Sequence, residues 1–427
     1  MESGLTAWIS IGLSSIAAIL AVFACRGVSF REWRSLAFWI PPVVIVWPSI
    51  ALILGALPIA SGVFRGDVVV FGLQVMPSVL VCLLLMARAV VERKRVGGVS
   101  ALIVSAVVLV GGVFSVVAGQ SLLHALVALA VVAGCAFVRN REARAIADAL
   151  VISVAGMCVL LASYGLLLPG LAVRTDCQQN TAKCDLLGGF LSIGQESGSN
   201  AFGITLAMVA AFAVYRLRWS RAVMLTAAVC ATILASGARL ATACAAASCA
   251  IGLLAKARGG RTWAAVALSA ATVASLIFAV VPFPPHSFTD RAILWGRARQ
   301  MILDAPWFGH GLSFWVRDAA TQPPPPRSYS PHNLWLDLGV AGGMIAVLVL
   351  VVAVLLGLWL SAPEARTGAL LILTGIVVVG CFESTFMPFR INPVPAGMVV
   401  LLAYLSVNQR TGRLRGLLRR LGRAPAA

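Results

Sequence analysis

Residues Trp335–Leu360 read WLDLGVAGGMIAVLVLVVAVLLGLWL, an unbroken apolar run whose one charged side chain is Asp337. A helix needs roughly 20 apolar residues to cross the hydrocarbon core of a bilayer, and this stretch exceeds that length. Similar runs lie at 5–25, 36–60, 68–87, 98–118, 121–138, 147–170, 200–215, 222–237, 240–255, 263–282, 368–387 and 394–408. They are continuous rather than alternating, which indicates helices and not barrel strands. In lipid every backbone polar group must find its partner within the protein, so a spanning segment is helical or part of a closed barrel. The expected fold is therefore all-α, a polytopic transmembrane bundle of about 12–13 spans.

Composition agrees with that reading. The 427 residues are 60% hydrophobic and 11% charged, with a mean hydropathy of +0.96, which excludes a soluble globular protein. The first apolar run lacks a basic leader and a clear small-residue cleavage site, so no cleavable signal peptide is expected. A net charge of +18 raises nucleic acid as a partner. The arginines, however, sit in short clusters between apolar runs, as topology signals do. Nucleic-acid binding calls for a continuous basic face with interleaved aromatics, so no nucleic-acid partner is expected.

The positive-inside rule orients the spans. With the clusters around Arg26, Arg88, Arg139, Arg216, Lys256, Arg366 and the tail from Arg410 to Arg423 inside, 23 of the 33 basic residues are cytoplasmic and 10 are outside. The N-terminus then lies outside and the C-terminus inside. The chain divides into an N-terminal bundle over 1–170, an outer loop over 171–199 and spans over 200–282. A second outer loop over 283–334, C-terminal spans over 335–408 and a basic cytoplasmic tail over 409–427 follow. The tail reads as an amphipathic anchor on anionic lipid. Eight of the ten cysteines lie in or beside apolar runs as small hydrophobes. Cys177 and Cys184 share the polar loop RTDCQQNTAKCD, where a disulfide is expected if the loop meets an oxidising compartment.

Polar residues concentrate in Pro282–Asn333, which holds Arg291, Arg297, Arg299, His310, Arg317, Arg327 and His332. The stretch RAILWGRARQMIL predicts an amphipathic helix, with Ile293, Leu294, Met301 and Leu303 apolar and three arginines basic. Such a helix suits the membrane interface, and Asp304-Ala305-Pro306 should end it. The prolines 323–326 favour a stiff extended spacer leading to His332. The turn Ser236-Gly237-Ala238-Arg239 places Arg239 at the same outer boundary, and Glu383 in GCFESTF joins that layer. A mid-bilayer carboxylate costs about 3 kcal/mol, so Glu383 is expected near the boundary or facing a cavity.

Three blocks occur in order: GGFLSIGQESGSNAFG at 188–203, ASGARLA at 235–241, and RAILWGRARQMILDAPWFGHG at 291–311 followed by PHNLWLDLGVAGG at 331–343. Together they resemble the bacterial O-antigen ligase and O-antigen polymerase superfamily across about 190–390. The resemblance implies an integral-membrane, metal-independent glycosyltransferase of the cytoplasmic (inner) membrane, acting on its outer face. The donor would be a glycan on undecaprenyl pyrophosphate, and the acceptor a glycan or lipid A-core. It implies donor pyrophosphate binding at Arg239 and Arg291 and catalysis at His332, with Glu383, Asn333 and Arg297 as supporting candidates. The chain departs from the family pattern in its SGAR turn, which lacks the serine before the arginine, and in a short catalytic loop. The short loop bears on the acceptor more than on the donor.

The residue chemistry points the same way independently. A departing pyrophosphate needs charge-assisted hydrogen bonds, which guanidinium supplies and keeps supplying beside lipid. An acceptor hydroxyl needs a base, and neutral imidazole serves near physiological pH. No cofactor or metal is expected, since Asp290, Asp304, Asp318 and Asp337 are spread singly with no pair at ligand spacing. Blander readings compete at each position. His332 could be a residue at a helix start, Arg239 a snorkelling arginine, and Arg291, Arg297 and Arg299 one solvated basic face. Glu383 could orient a catalytic residue or simply pair with Arg390. Asn200 reads as a helix cap, His310 as a turn residue, His286 as having no evident partner and His124 as a packed histidine. The polymerase of the same superfamily, and a transporter of the lipid-linked precursor, remain the alternatives to a ligase.

Overall fold

A computed structural model of the chain describes residues 2–56, 67–92, 98–117, 122–139, 142–174, 187, 189–193, 198–311, 314–315, 330–385 and 396–407. The cysteines 177 and 184, the proline spacer, Arg317, Arg327, Arg390 and the basic tail all lie outside the described residues.

The α-helices of the described residues are α1 Glu2–Ala24, α2 Trp47–Ala56, α3 Asp67–Val91, α4 Val99–Val117, α5 Leu122–Cys135, α6 Ala143–Leu167 and α7 Pro169–Ala172. They continue as α8 Gly198–Arg216, α9 Trp219–Ala235, α10 Arg239–Ala257, α11 Arg261–Val280, α12 Arg291–Asp304, α13 Leu334–Leu360, α14 Pro363–Gly380 and α15 Ala396–Val407. Every expected span falls on a helix. Among the described residues, six segments are long and apolar enough to cross a membrane, and shorter apolar stretches of 10–17 residues lie within other helices. The chain is an all-α polytopic bundle. The span Leu36–Gly55 is irregular, passing through a 3-10 turn at Leu36–Trp39 and a π stretch at Pro42–Val46 before α2. Pro41, Pro42 and Pro48 explain this, because each removes a backbone donor and crowds the preceding turn.

One small departure from the all-helical expectation occurs in the stretch between α7 and α8. β1 Val173–Arg174 and β2 Phe190–Leu191 pair antiparallel, Val173 opposite Leu191 and Arg174 opposite Phe190. Leu191 is buried, and Ser10 Oγ on α1 donates to Gly189 O at 3.0 Å, so the loop is fastened to the first helix. Asn200 falls within the first turn of α8, which begins at Gly198, and so does not occupy the cap position expected from sequence.

The centre of the bundle is α8. Its residues from Leu206 to Val214 are all buried, as befits a helix apolar on every side. Packing in lipid relies on close backbone approach through small residues rather than on a hydrophobic drive between helices. Gly252 of α10 illustrates this: a Cβ there would come within 2.5 Å of Ala211 O. Lys256 Nζ donates to Tyr215 O at 3.1 Å, so α10 runs parallel to α8. Gly368 packs beside Phe212 and Gly375 beside Met208, so α14 runs antiparallel. This arrangement brings the start of α10 (Arg239) and the end of α14 (toward Glu383) to one end of the bundle.

The opposite end carries a different carboxylate. Glu142, just before α6, accepts from Arg88 Nη1 at 3.1 Å and Nη2 at 3.2 Å, from Ser35 Oγ at 2.8 Å and from the Arg139 backbone N–H at 2.8 Å. Arg139 also pairs with Glu92. Asp148 pairs with Arg144 at 3.6 Å and Arg216 at 3.5 Å.

Candidate active site

Glu383 lies beyond the last residue of α14 and is buried to 2% exposure. Its Oε1 accepts from Arg291 Nη2 at 2.9 Å, and its Oε2 meets His332 Nδ1 at 2.7 Å. One carboxylate thus joins residues from three separate parts of the chain. Burial alone pushes the carboxyl up. The charges and hydrogen bonds of His332 and then Arg291 outweigh it, and the net direction is below the usual value of 4.5. An ionised carboxylate only accepts hydrogen bonds, so the facing His332 Nδ1 must be the donor. In the neutral ring that leaves the lone pair on Nε2, the arrangement in which a carboxylate fixes the tautomer of a histidine base.

The backbone around this bridge is shaped for it. Asn333 caps α13, its side-chain oxygen accepting from Trp335 N at 3.0 Å and Leu336 N at 3.2 Å. Its Nδ2 donates to Cys381 O at 3.1 Å, two residues before Glu383. Among the described residues, the non-glycine positions with left-handed backbone are Phe288, Thr289, Asp290 and His332, at φ of 58°, 59°, 63° and 51°. Three immediately precede Arg291 and the fourth is the histidine itself. Each such residue costs on the order of 1–3 kcal/mol and persists only where its surroundings enforce it, which is typical of functional sites.

The three arginines of α12 have separate fates. Arg291 heads the helix and binds Glu383, while its Nε is buried without a hydrogen bond. Arg299 Nη1 reaches Ala279 O at 3.2 Å and Val281 O at 3.4 Å, capping the carbonyl end of α11. Arg297 is half-buried on the same helix. Arg239 is exposed at the first position of α10. Its helix leans toward the bridge, since Cys244 Sγ lies 3.8 Å from Val378 O. Arg239 therefore shares the layer without belonging to the buried bridge. His286, expected to lack a partner, lies 3.0 Å from Asp290 Oδ1 in an exposed pair. The side chain of His124 is not among those described.

Beneath the bridge is an aromatic floor that sequence reading missed. Phe278 and Phe382 have ring centroids 4.6 Å apart, Phe288 and Trp295 5.3 Å, and Phe283 and Phe288 5.2 Å. Trp295 is fully buried on the inner face of α12 with Ala292, Leu294 and Ala298. The spacing of these four positions was the available signal, masked by the attention the arginines draw.

A second unexpected feature is a break in α13. Gly343 leaves the helix at φ 65° and ψ −172°. A break strands backbone groups that need new partners, and the loop after α12 supplies them. His310 N donates to Val340 O at 2.7 Å and Gly311 N to Ala341 O at 2.9 Å. Met344 N donates to Pro306 O at 2.8 Å and Ile345 N to Trp307 O at 3.3 Å. The approach requires Gly309, at φ 64°, where a Cβ would come within 2.6 Å of Val340 O. His310 is the turn residue expected: its Nε2 lies 2.9 Å from Met301 O and its ring stacks on Phe314 at 4.5 Å. The PWFGHG and GVAGG blocks are thus two halves of one backbone joint.

No curated protein matches the chain. A family model described as O-Antigen ligase matches residues 184–351, the stretch that carries Arg239, Arg291, His332 and the joint at Gly343. Over that stretch, less than half of the 427 residues, the chain is similar to the O-antigen ligase/polymerase superfamily, and the fold that carries it is an all-helical membrane bundle.

Proposed function

We propose that the protein transfers a glycan from undecaprenyl pyrophosphate to an acceptor hydroxyl at the outer face of the cytoplasmic membrane, as an O-antigen ligase does. The observation that supports this reading best is the Glu383 carboxylate shared by His332 and Arg291. His332 Nε2 takes the proton from the acceptor hydroxyl, whose oxygen attacks the anomeric carbon of the donor. The carbon–oxygen bond to the pyrophosphate breaks, and undecaprenyl pyrophosphate leaves with the electron pair, inverting the centre. The imidazolium that forms is stabilised by Glu383. The Arg291 N–H groups not bound to Glu383, together with exposed Arg239, face the leaving phosphates with charge-assisted hydrogen bonds. Because arginines carry that charge, the proposed transfer is metal-independent.

The experiment uses purified protein in vesicles with labelled undecaprenyl-pyrophosphate oligosaccharide, with EDTA, and compares wild type with His332→Ala. Release of undecaprenyl pyrophosphate that persists in EDTA and collapses in the variant supports the proposal. Equal release in both proteins removes His332 from the mechanism. A ladder of product lengths would make the acceptor another lipid-linked repeat, the polymerase alternative, whereas a single addition to an added acceptor makes it a ligase. Transporters also use broken helices, at the bilayer midplane. Here the break comes a third of the way along α13 and its backbone groups are bonded by the loop, which favours an enzyme.

A further inference from the structure

The last turn of α12 and the loop that follows it present three large apolar side chains outward: Leu303 at 69% exposure, Trp307 at 65% and Phe308 at 56%. We infer that these three residues are an interfacial anchor, seated in the outer boundary of the bilayer and holding there the lid, the segment of α12 and the loop to Gly311. The inference stands on the membrane embedding of the bundle and not on the proposed transfer reaction.

Two independent rulers place the tip at the boundary. The uninterrupted part of α13, Met344–Leu360, spans about 26 Å at 1.5 Å per residue, close to the roughly 30 Å of a hydrocarbon core. Residues before the break, from Leu336 to Ala341, are covered by protein, whereas Met344 and Ile345 just after it are exposed, as Leu348 is. Lipid contact on this helix therefore begins at the break, where Trp307 O is bonded to Ile345 N. The second ruler is α11, whose 20 residues also measure about 30 Å. Arg299 of α12 grips the carbonyls at the end of α11, so the helix carrying Leu303 lies at the level where that span ends.

The occupant follows from continuity. Leu303, Trp307 and Phe308 extend the exposed apolar face of Met344, Ile345 and Leu348, which has lipid as its neighbour. Tryptophan and its aromatic relatives favour the interface, where an apolar ring meets acyl chains and a polar edge meets water. The partner is thus the glycerol-level region of the outer leaflet.

The full chain in vesicles tests this by quenching of tryptophan emission. The protein has 11 tryptophans, so the signal of interest is the difference between wild type and Trp307→Phe. The difference emission should be quenched more strongly by lipids brominated near the glycerol end than by lipids brominated near the chain ends. Leu303→Trp, compared with wild type, should add emission quenched in the same order, and it carries the test if Trp307→Phe fails to fold. Water-like, unquenched difference emission would place the tip in solution and overturn the anchor. Blue-shifted but unquenched emission would mean cover by protein, such as a second copy, and would also overturn it. Stronger quenching from the chain ends would move the tip too deep for an interfacial anchor.

Discussion

Glu383 Oε2 stands 2.7 Å from His332 Nδ1, although 51 positions of sequence separate the two residues. With Arg291 on the other carboxylate oxygen, this short contact sets both the orientation of the imidazole and the tautomer it holds. His332→Ala should lower transfer by about 10²–10⁴-fold, the usual range for a general base. Glu383→Gln keeps the volume but loses the charge, and should cost about 10–100-fold, as loss of a partner that orients a histidine does. Turnover in reconstituted vesicles measures both. Glu383→Gln activity equal to wild type would dismiss the carboxylate as a mere packing group.

The same substitution should weaken the fold, because it leaves the Arg291 charge in a mostly buried place without its partner. Breaking such a pair costs roughly 3 kcal/mol. The pH dependence has a defined sign. The folded carboxyl titrates below its usual 4.5, so its stabilisation is complete above that value and disappears as pH falls through the lower folded one. The melting-temperature gap between wild type and Glu383→Gln should therefore hold at pH 6 and 5 and close in stronger acid. A gap that stayed open in strong acid would contradict the charge assignment.

Gly309→Ala should undo the joint between the loop and α13. The position has φ of 64° and the added methyl would press on Val340 O, while αL backbone alone costs roughly 1–2 kcal/mol in an alanine. Gly296→Ala on α12 is the control, since the nearest atom to its Cβ is 3.8 Å away. Limited proteolysis should cut the lid of Gly309→Ala faster and leave Gly296→Ala as resistant as wild type.

Glu142→Gln should separate stability from chemistry. Its carboxylate holds Arg88, Ser35 and Arg139 at the end of the bundle away from His332. Removal leaves a largely buried guanidinium unpaired, for about 3 kcal/mol. The melting temperature should fall while turnover of the surviving folded protein stays at the wild-type rate.

The spans, the helix Arg291–Asp304 and the layer that groups Arg291, His332 and Glu383 were legible in the sequence for different reasons. Continuous apolar runs report directly on a helix that must satisfy its own backbone, so each span was visible from 5–25 to 394–408. The helix Arg291–Asp304 was bounded in advance by Asp304-Ala305-Pro306, a local stop signal. The break at Gly343 was not visible, because it depends on partners at 306–311 that only the folded chain supplies. Nor could local pattern separate Arg291 from Arg299: one meets a carboxylate 92 positions away, the other the carbonyl end of a neighbouring helix. The burial of Trp295 was hidden for the same reason, since its aromatic neighbours come from α11, the turn before α12 and the end of α14.

Asn333 caps α13 while gripping Cys381 O, and Gly311 is bonded to Ala341 O on the other side of the lid. The chain between Gly311 and Ser330 is therefore pinned at both ends to α13 and its surroundings by contacts that owe nothing to its own sequence. Lengthening a loop whose ends are already fixed adds closure entropy only slowly, about 0.6 kcal/mol for each doubling. Changes of chain length between those two anchors would thus leave the spacing of His332, Glu383 and Arg291 as it is.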